Sequence, residues 1–359
     1  MQRSWPRAAS RTIASWLAAL QRDDAAPLTL CYRPPPALGE LRAALMAAAR
    51  GVEGEHELLG PLYAERACEL ELEAALAEHI GLPEFAALAI RRHAPRAEPD
   101  WQRAEQLARQ WADTPVTGMA SDELVRSDDA RSPHSLLRQI CSQLGLLRVP
   151  YRVQVVSELA SYAATGDGVI FVRTGALLSP AAGLRIARHE VLAHALPRVR
   201  ARAHALGLLR VGTAGAGADE EGRALLIEQR FGDLSAERQR DLGLRHLTAL
   251  AVAGGASARD CVRELSRFGC APERALQLFI RCARGSALTG RGLCRELEYM
   301  PAWLRLSAAF AADPELELWL KQGRSSLRAA HLLRQHAVLD PFVLEHGRYC
   351  SDSPPDHEG

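Results

Sequence analysis

Apolar residues recur at three- and four-residue spacing along most of this chain, which is the pattern of amphipathic helices. Leu72, Leu76 and Ile80 are one such run, with polar or small residues between them. The same spacing predicts helix after helix in two long stretches, 37–145 and 219–333. The chain is therefore expected to be mostly helical.

One stretch near the middle has the two-residue period of β-strands instead. Residues 151–160 alternate polar and apolar side chains, residues 165–168 contain an Asp-Gly turn, and a second apolar run follows at Val169–Arg173. This order predicts a β-hairpin. Ser179 and Pro180 then predict the start of a helix, as cap and first-turn residue.

These patterns predict an α+β fold that is mostly helical, with a small sheet or hairpin packed next to one helix. We divide the chain into an N-terminal arm (1–36), an N-terminal helical region (37–145), a third region that contains the hairpin (146–340) and a polar C-terminal tail (341–359). The composition of the tail predicts disorder.

Composition excludes several classes of function. The 359 residues carry a net charge of +1, so no basic field points to nucleic acid, although Lys321 is the only lysine and arginine supplies the other positive charges. No run of eighteen apolar residues points to a membrane span, and no clear cleavage site marks a signal peptide. Eight scattered cysteines without a Cys-x-x-Cys pair are expected to be reduced, and the cytoplasm is the expected compartment.

The clearest candidate for chemistry is a pair of histidines five residues apart, His189 and His194, with Glu190 directly after the first. Catalytic zinc binds neutral imidazoles and a third ligand, keeps a position for water, and works beside a carboxylate that takes the proton of that water. On an ideal helix, however, five residues turn the second histidine about 140° away from the first. Both histidines reach one metal only if the helix is widened by one residue or breaks near Ala193.

A third ligand has to come from another element, and the acidic start of the next helix, Asp219, Glu220 and Glu221, offers three carboxylates. The alternative is an ordinary surface helix, on which His189 and His194 are solvated. The residue pattern by itself leaves both interpretations open.

These motifs together resemble a known family, the tyrosine carboxypeptidases that trim α-tubulin tails, and its bacterial relatives with a Gln-Glu-Gly-Leu-Ala motif. The likeness extends from about residue 28 to about residue 333. It rests on His-Glu-x-x-x-His at 189–194, Glu-Glu-Gly-Arg-Ala at 220–224, an Arg-Gly pair at 284–285, and a charged pair followed by tyrosine at 295–299.

The resemblance implies a zincin-like metallopeptidase region and a role for each matching residue. His189, His194 and Glu221 would bind Zn²⁺, with Glu220 as the alternative third ligand, and Glu190 would be the general base. The chain departs from the family pattern at Leu192-Ala193 (Gly-Thr in the family), at Arg223 (Leu) and at Arg295-Glu296 (Lys-Asp). These departures leave the metal ligands intact and concern substrate choice.

The function so implied is a zinc carboxypeptidase that uses zinc-activated water to release the last residue of a peptide or protein tail. Such an enzyme has to recognise a free terminal carboxylate, for which Arg281, Arg284 and Arg295 are the candidates, while Tyr299 could donate to the oxyanion or to that carboxylate. The alternatives are a zinc endopeptidase that processes a precursor and a non-catalytic regulatory protein that retains the fold. No nucleic-acid or membrane partner is expected, and the oligomeric state stays open.

Overall fold

The computed structural model describes residues 9–22, 30–52, 54–93, 99–115, 123–159, 161–286 and 291–336. The predicted disordered tail, 341–359, lies outside these residues. The described part is mostly helical with two small sheets, as the α+β prediction expects. None of its helices combines the length and the apolar character needed to cross a membrane.

Sixteen α-helices are present among the described residues. They are α1 (Ala9–Gln21), α2 (Gly39–Val52), α3 (Leu59–Glu78), α4 (Phe85–His93), α5 (Pro99–Ala112), α6 (Leu136–Leu146), α7 (Pro180–Arg188), α8 (Leu196–Ala203), α9 (Leu208–Val211), α10 (Ala216–Arg230), α11 (Ala236–Ala253), α12 (Ala258–Ser266), α13 (Pro272–Ala283), α14 (Tyr299–Ala312), α15 (Glu315–Leu320) and α16 (Leu327–Gln335). A π-helical segment, His189–Ala195, joins α7 to α8, and a 3₁₀ turn, Arg295–Glu298, precedes α14.

Five short strands form the two sheets: β1 (Val125–Arg126), β2 (Arg152–Val156), β3 (Ala163–Thr165), β4 (Val169–Arg173) and β5 (Leu177–Leu178). Strands β1 and β5 pair antiparallel, and the larger sheet has the order β2-β4-β3. Strand β4 lies in the centre, which explains why its apolar side chains are nearly continuous along the sequence.

The predicted hairpin exists, but its first strand is not the alternating run 151–160. Strand β3, which that run does not include, pairs antiparallel with β4, with Ala163 opposite Val172. The alternating run supplies β2, which pairs parallel with β4 from the other side. The prediction was wrong because β3 is only three residues long and begins with two alanines, which have low β propensity.

The helix that follows the sheet begins as predicted. The Ser179 hydroxyl accepts a hydrogen bond from the amide of Ala182 at 3.2 Å, and Pro180 occupies the first turn. Nine residues later the helix widens into the π-helical segment, in which the amide of Leu196 donates to the carbonyl of Val191, five residues back. This is the widened turn that the spacing of the two histidines requires.

Helix α10 begins at Ala216, three residues before the predicted start, and crosses α14 at very short distance. A Cβ on Gly222 would lie 2.6 Å from the carbonyl carbon of Ala302, so only glycine allows this crossing. The close crossing fixes the position of Glu221, the residue immediately before Gly222.

The N-terminal helices attach to the rest of the molecule through buried ion pairs as well as apolar contacts. Arg92 and His93, at the end of α4, both contact the Glu298 carboxylate, at 3.1 and 3.0 Å. Glu298 closes the 3₁₀ turn that begins at Arg295, so this contact reaches the elements around the histidine pair.

Candidate metal centre

The π-helical segment brings the two histidines to the same side of the helix. Their ring centroids are 5.1 Å apart. The Nε2 atoms of His189 and His194 lie 3.5 and 4.0 Å from the same carboxylate oxygen, Oε2 of Glu221. Within the described part of the chain, these three residues form the group that could hold a metal ion, with ligand atoms within 4.8 Å of one another.

The donor set fits zinc. Bonds of about 2 Å in a tetrahedral arrangement place neighbouring ligand atoms roughly 3.3 Å apart. The separation of Glu221 from His189, 3.5 Å, is close to this value, and its separation from His194, 4.0 Å, is longer. Two imidazole nitrogens and one carboxylate oxygen are also the donor set of a common class of catalytic zinc site, which keeps a fourth position for water. The histidines are not the solvated surface pair of the alternative interpretation, since His194 is 6% exposed.

The other ring nitrogen of each histidine faces a carboxylate. Nδ1 of His189 lies 2.9 Å from Oε1 of Glu228, and Nδ1 of His194 lies 3.7 Å from Oε2 of Glu220. Such carboxylates fix the ring orientation of metal-binding histidines and raise their basicity. Burial lowers the pKa of His189, but its hydrogen bonds with Glu221 and Glu228 raise it to about 9 in the metal-free protein.

Arginines from other elements hold each of these carboxylates. Glu228 is fully buried and receives two hydrogen bonds from Arg238, at 2.7 and 2.9 Å. Burial opposes ionisation of Glu228, but the charge of Arg238 and the hydrogen bond from His189 keep its pKa well below the usual range. Glu220 is likewise paired with Arg324 at 3.0 Å.

The geometry distinguishes Glu221 from Glu220. Glu221 alone of the two faces both Nε2 atoms, whereas Glu220 lies behind His194 and contacts Arg198 as well as Arg324. Of the three carboxylates that the sequence offered, Glu221 is thus the one placed to bind a metal together with both histidines.

Glu190 is held beside the histidines by the sheet. Its Oε2 accepts a hydrogen bond of 2.7 Å from the hydroxyl of Thr165, the last residue of β3. Glu190 is 8% exposed and lines the same cleft as the three candidate ligands. The pairing of β3 with β4 therefore determines where this carboxylate points.

The arginines predicted to bind substrate line this cleft, and each one contacts a carboxylate of the protein. Arg281 and Arg284 both contact Oε1 of Glu296, at 2.7 and 2.9 Å. Arg295 instead contacts Oε1 of Glu221 at 2.8 Å, so it holds the candidate third ligand. These pairings could not be predicted from the sequence.

Tyr299, at the start of α14, lines the cleft as well. Burial and the nearby charge of Glu221 raise the pKa of its phenol. The hydroxyl therefore keeps its proton at neutral pH and is a hydrogen-bond donor.

The cleft has a volume of about 880 Å³. Ten arginines and five glutamates line it, so positive side chains outnumber negative ones at its wall. Several of the residues that build this region were not predicted from the sequence, in particular Glu228, Arg238 and Thr165. Glu228 was detectable, because it lies seven residues after Glu221 and so on the same helix face.

Comparison with known proteins identifies one family. The family model for microtubule-associated tyrosine carboxypeptidase matches residues 34–355, nearly the whole chain and all of the site. A search of curated proteins finds no match.

Proposed function

The chain belongs to the microtubule-associated tyrosine carboxypeptidase family, and from that premise we propose that it is a zinc-dependent carboxypeptidase with a zincin-like catalytic region. It would release the last residue of a peptide or protein tail. The observation that carries this proposal is the convergence of both histidine Nε2 atoms on Glu221, with Glu190 in the same cleft.

His189, His194 and Glu221 would hold the zinc ion. When bound, zinc would supply an acidified water and electrophilic stabilisation of the peptide carbonyl. Arg295 neutralises the second oxygen of Glu221, and Glu228 and Glu220 orient the two imidazoles. The chain's own residues thus supply the ligands and fix their directions.

Glu190 would act as the general base and then as the general acid. Its carboxylate would accept a proton from the attacking water and pass it to the amine that leaves. The hydrogen bond from Thr165 holds one carboxylate oxygen, which limits the orientations open to the other. Tyr299, a neutral phenol in the same cleft, would donate to the developing oxyanion or to the substrate's terminal carboxylate.

The charge of the cleft favours a substrate that ends in a free carboxylate. Arg281 and Arg284 are two of the ten arginines that line the cleft beside five glutamates, so positive side chains outnumber negative ones at its wall. A terminal carboxylate would balance that charge through charge-assisted hydrogen bonds. An endopeptidase has no use for such a feature, so the exopeptidase is the better match.

Release of a terminal amino acid from synthetic peptides tests the proposal directly. The family description names tyrosine as the residue removed, so the first substrates are a peptide that ends in tyrosine and the same peptide with an amidated C-terminus. We expect mass spectrometry to show tyrosine release from the free-acid peptide alone. Glu190→Gln should abolish the release but leave bound zinc unchanged.

Metal content completes the test. Elemental analysis should find about one zinc per chain in the wild type, as for a single catalytic site, and markedly less in His194→Ala and Glu221→Ala. Internal cleavage of both peptides would indicate the endopeptidase. A wild type that binds no zinc, even after zinc is supplied, would contradict the proposal and favour a non-catalytic regulatory protein.

A further inference from the structure

The carbonyl of Ala193, within the π-helical segment, lacks the amide donor that an α-helix would supply from four residues later. In a π-helix each amide donates to the carbonyl five residues back, and in an α-helix to the carbonyl four residues back. Where the first pattern changes to the second, one carbonyl is left without an amide donor. Four residues after Ala193 the chain has Pro197, which carries no N–H. Ala193 is completely buried, so bulk solvent does not reach its carbonyl.

Arg223 supplies a donor to this carbonyl. Its Nη2 donates to the carbonyl of Ala193, and its Nη1 donates to the carbonyl of Leu320 at 2.6 Å. The side chain is 3% exposed. One guanidinium therefore connects the π-helical segment to the end of α15, and it projects from α10, the helix that also carries Glu221.

We propose that Arg223 is a positioning residue that keeps the His189–Ala195 segment in its π-helical form, and that it thereby aligns both histidines with Glu221. The α-helical form would place the histidines about 140° apart around the helix, and one metal ion could not bind both. The planar guanidinium suits this role because its two terminal nitrogens donate in fixed, divergent directions to two carbonyls. The metal-binding consequence rests on the proposed function, but the effect on the backbone does not.

Hydrogen exchange of the metal-free protein tests the backbone effect by itself. Arg223→Met keeps a long side chain and removes both donors. We expect amides of the π-helical segment and of the first turn of α8 to exchange at least about tenfold faster in this variant, because a buried carbonyl loses its partner. Amides of α12, which lies elsewhere in the molecule, should be unaffected.

Two further variants control for a general loss of packing. Arg66→Met removes another buried arginine, which donates from Nε to the carbonyl of Val211 at 3.3 Å, and should leave exchange in the π-helical segment unchanged. Arg223→Lys keeps the charge but cannot span both carbonyls, so its exchange should fall between wild type and Arg223→Met. The lysine variant also provides the measurement if Arg223→Met does not fold.

Zinc affinity, measured by competition with a chromogenic chelator, is the second readout. We expect Arg223→Met to bind zinc about tenfold more weakly, and Arg66→Met to bind it like the wild type. Unchanged exchange in the segment, or equal acceleration throughout the protein, would overturn the role of Arg223. If the wild type bound no zinc, the proposed function would fail, while the exchange data would still decide whether Arg223 holds the segment.

Discussion

Replacing Glu228 with glutamine separates the metal-orienting role of this residue from its role in packing. Oε1 of Glu228 lies 2.9 Å from both Nδ1 of His189 and Nη2 of Arg238, and Oε2 lies 2.7 Å from Nε of Arg238. Whichever way the glutamine amide is turned, its NH₂ group faces at least one donor of Arg238. The variant therefore loses a hydrogen bond and leaves Asp241, at 3.2 Å, as the remaining carboxylate partner of the buried Arg238.

Two magnitudes follow from this geometry. Removing one partner of a fully buried ion pair is expected to cost about 3 kcal/mol of the free energy of unfolding. Loss of a carboxylate that orients a metal-binding histidine is expected to weaken zinc binding by about 10- to 100-fold. The first quantity is measured by urea unfolding of the metal-free protein, and the second by chelator competition under conditions in which the variant is fully folded.

The double variant Glu228→Gln/Arg238→Gln provides the control. Removing the second charge should restore part of the lost stability, because Arg238 is then no longer a buried charge that has lost Glu228. Arg185, which lies 3.6 Å from Glu228, keeps Asp241 and Asp233 as nearby carboxylates. Zinc binding should stay weak, because His189 still lacks its carboxylate. If Glu228→Gln binds zinc as tightly as the wild type, or if the double variant regains full zinc affinity, the orienting role of Glu228 is refuted.

Three other predictions follow from single contacts. Thr165→Val removes the hydrogen bond to Glu190. We expect kcat to fall about tenfold while KM and zinc content are unchanged. An equal change in KM would argue against a role of Thr165 in orienting Glu190. Gly222→Ala places a methyl group 2.6 Å from the Ala302 carbonyl carbon. It should lower the free energy of unfolding by about 3 kcal/mol, which is measured as a lower melting temperature. An unchanged melting temperature would contradict the close crossing of α10 and α14. Burial lowers the pKa of His246 to about 4, so the unfolded chain takes up a proton first as the pH falls below about 6.5. This residue should remove about 2 kcal/mol of stability between pH 7 and pH 5, and urea titrations of His246→Leu should show a correspondingly smaller loss.

The sequence predicts the elements whose signals are local. Ser179 and Pro180 mark a helix start through their own chemistry, and the five-residue spacing of His189 and His194 requires a widened turn if both face one ligand. The predicted strand pairing was wrong at β3 because a strand of three residues, two of them alanine, shows almost no alternation of polar and apolar side chains. Parallel pairing of β2 with β4 is likewise absent from any local signal, since it depends on how the intervening chain crosses over.

The partners of the arginines were beyond sequence reasoning for a different reason. Because arginines are numerous and spread over the whole chain, any carboxylate near the site has many candidate partners, and the sequence does not show which of them the fold brings close. Arg295 illustrates the result: its position near Tyr299 was compatible with substrate binding, but the fold places it on Glu221, 74 residues away in sequence. Only the crossing of α10 and α14 determines that contact.

These pairings give the arginine-rich composition a physical meaning. The three carboxylates that contact the two imidazoles are each held by an arginine from a different element: Glu221 by Arg295 of the 3₁₀ turn, Glu220 by Arg324 after α15, and Glu228 by Arg238 of α11. Burial without a positive partner or a hydrogen bond favours the protonated carboxylic acid, which is a poor metal ligand and a poor acceptor for an imidazole N–H. Arginine suits this purpose better than lysine because it stays charged when buried and its fork donates twice. A near-neutral net charge thus conceals a site in which positive side chains keep the acids ionised, and the positive charge left over lines the cleft that would receive the tail of the substrate.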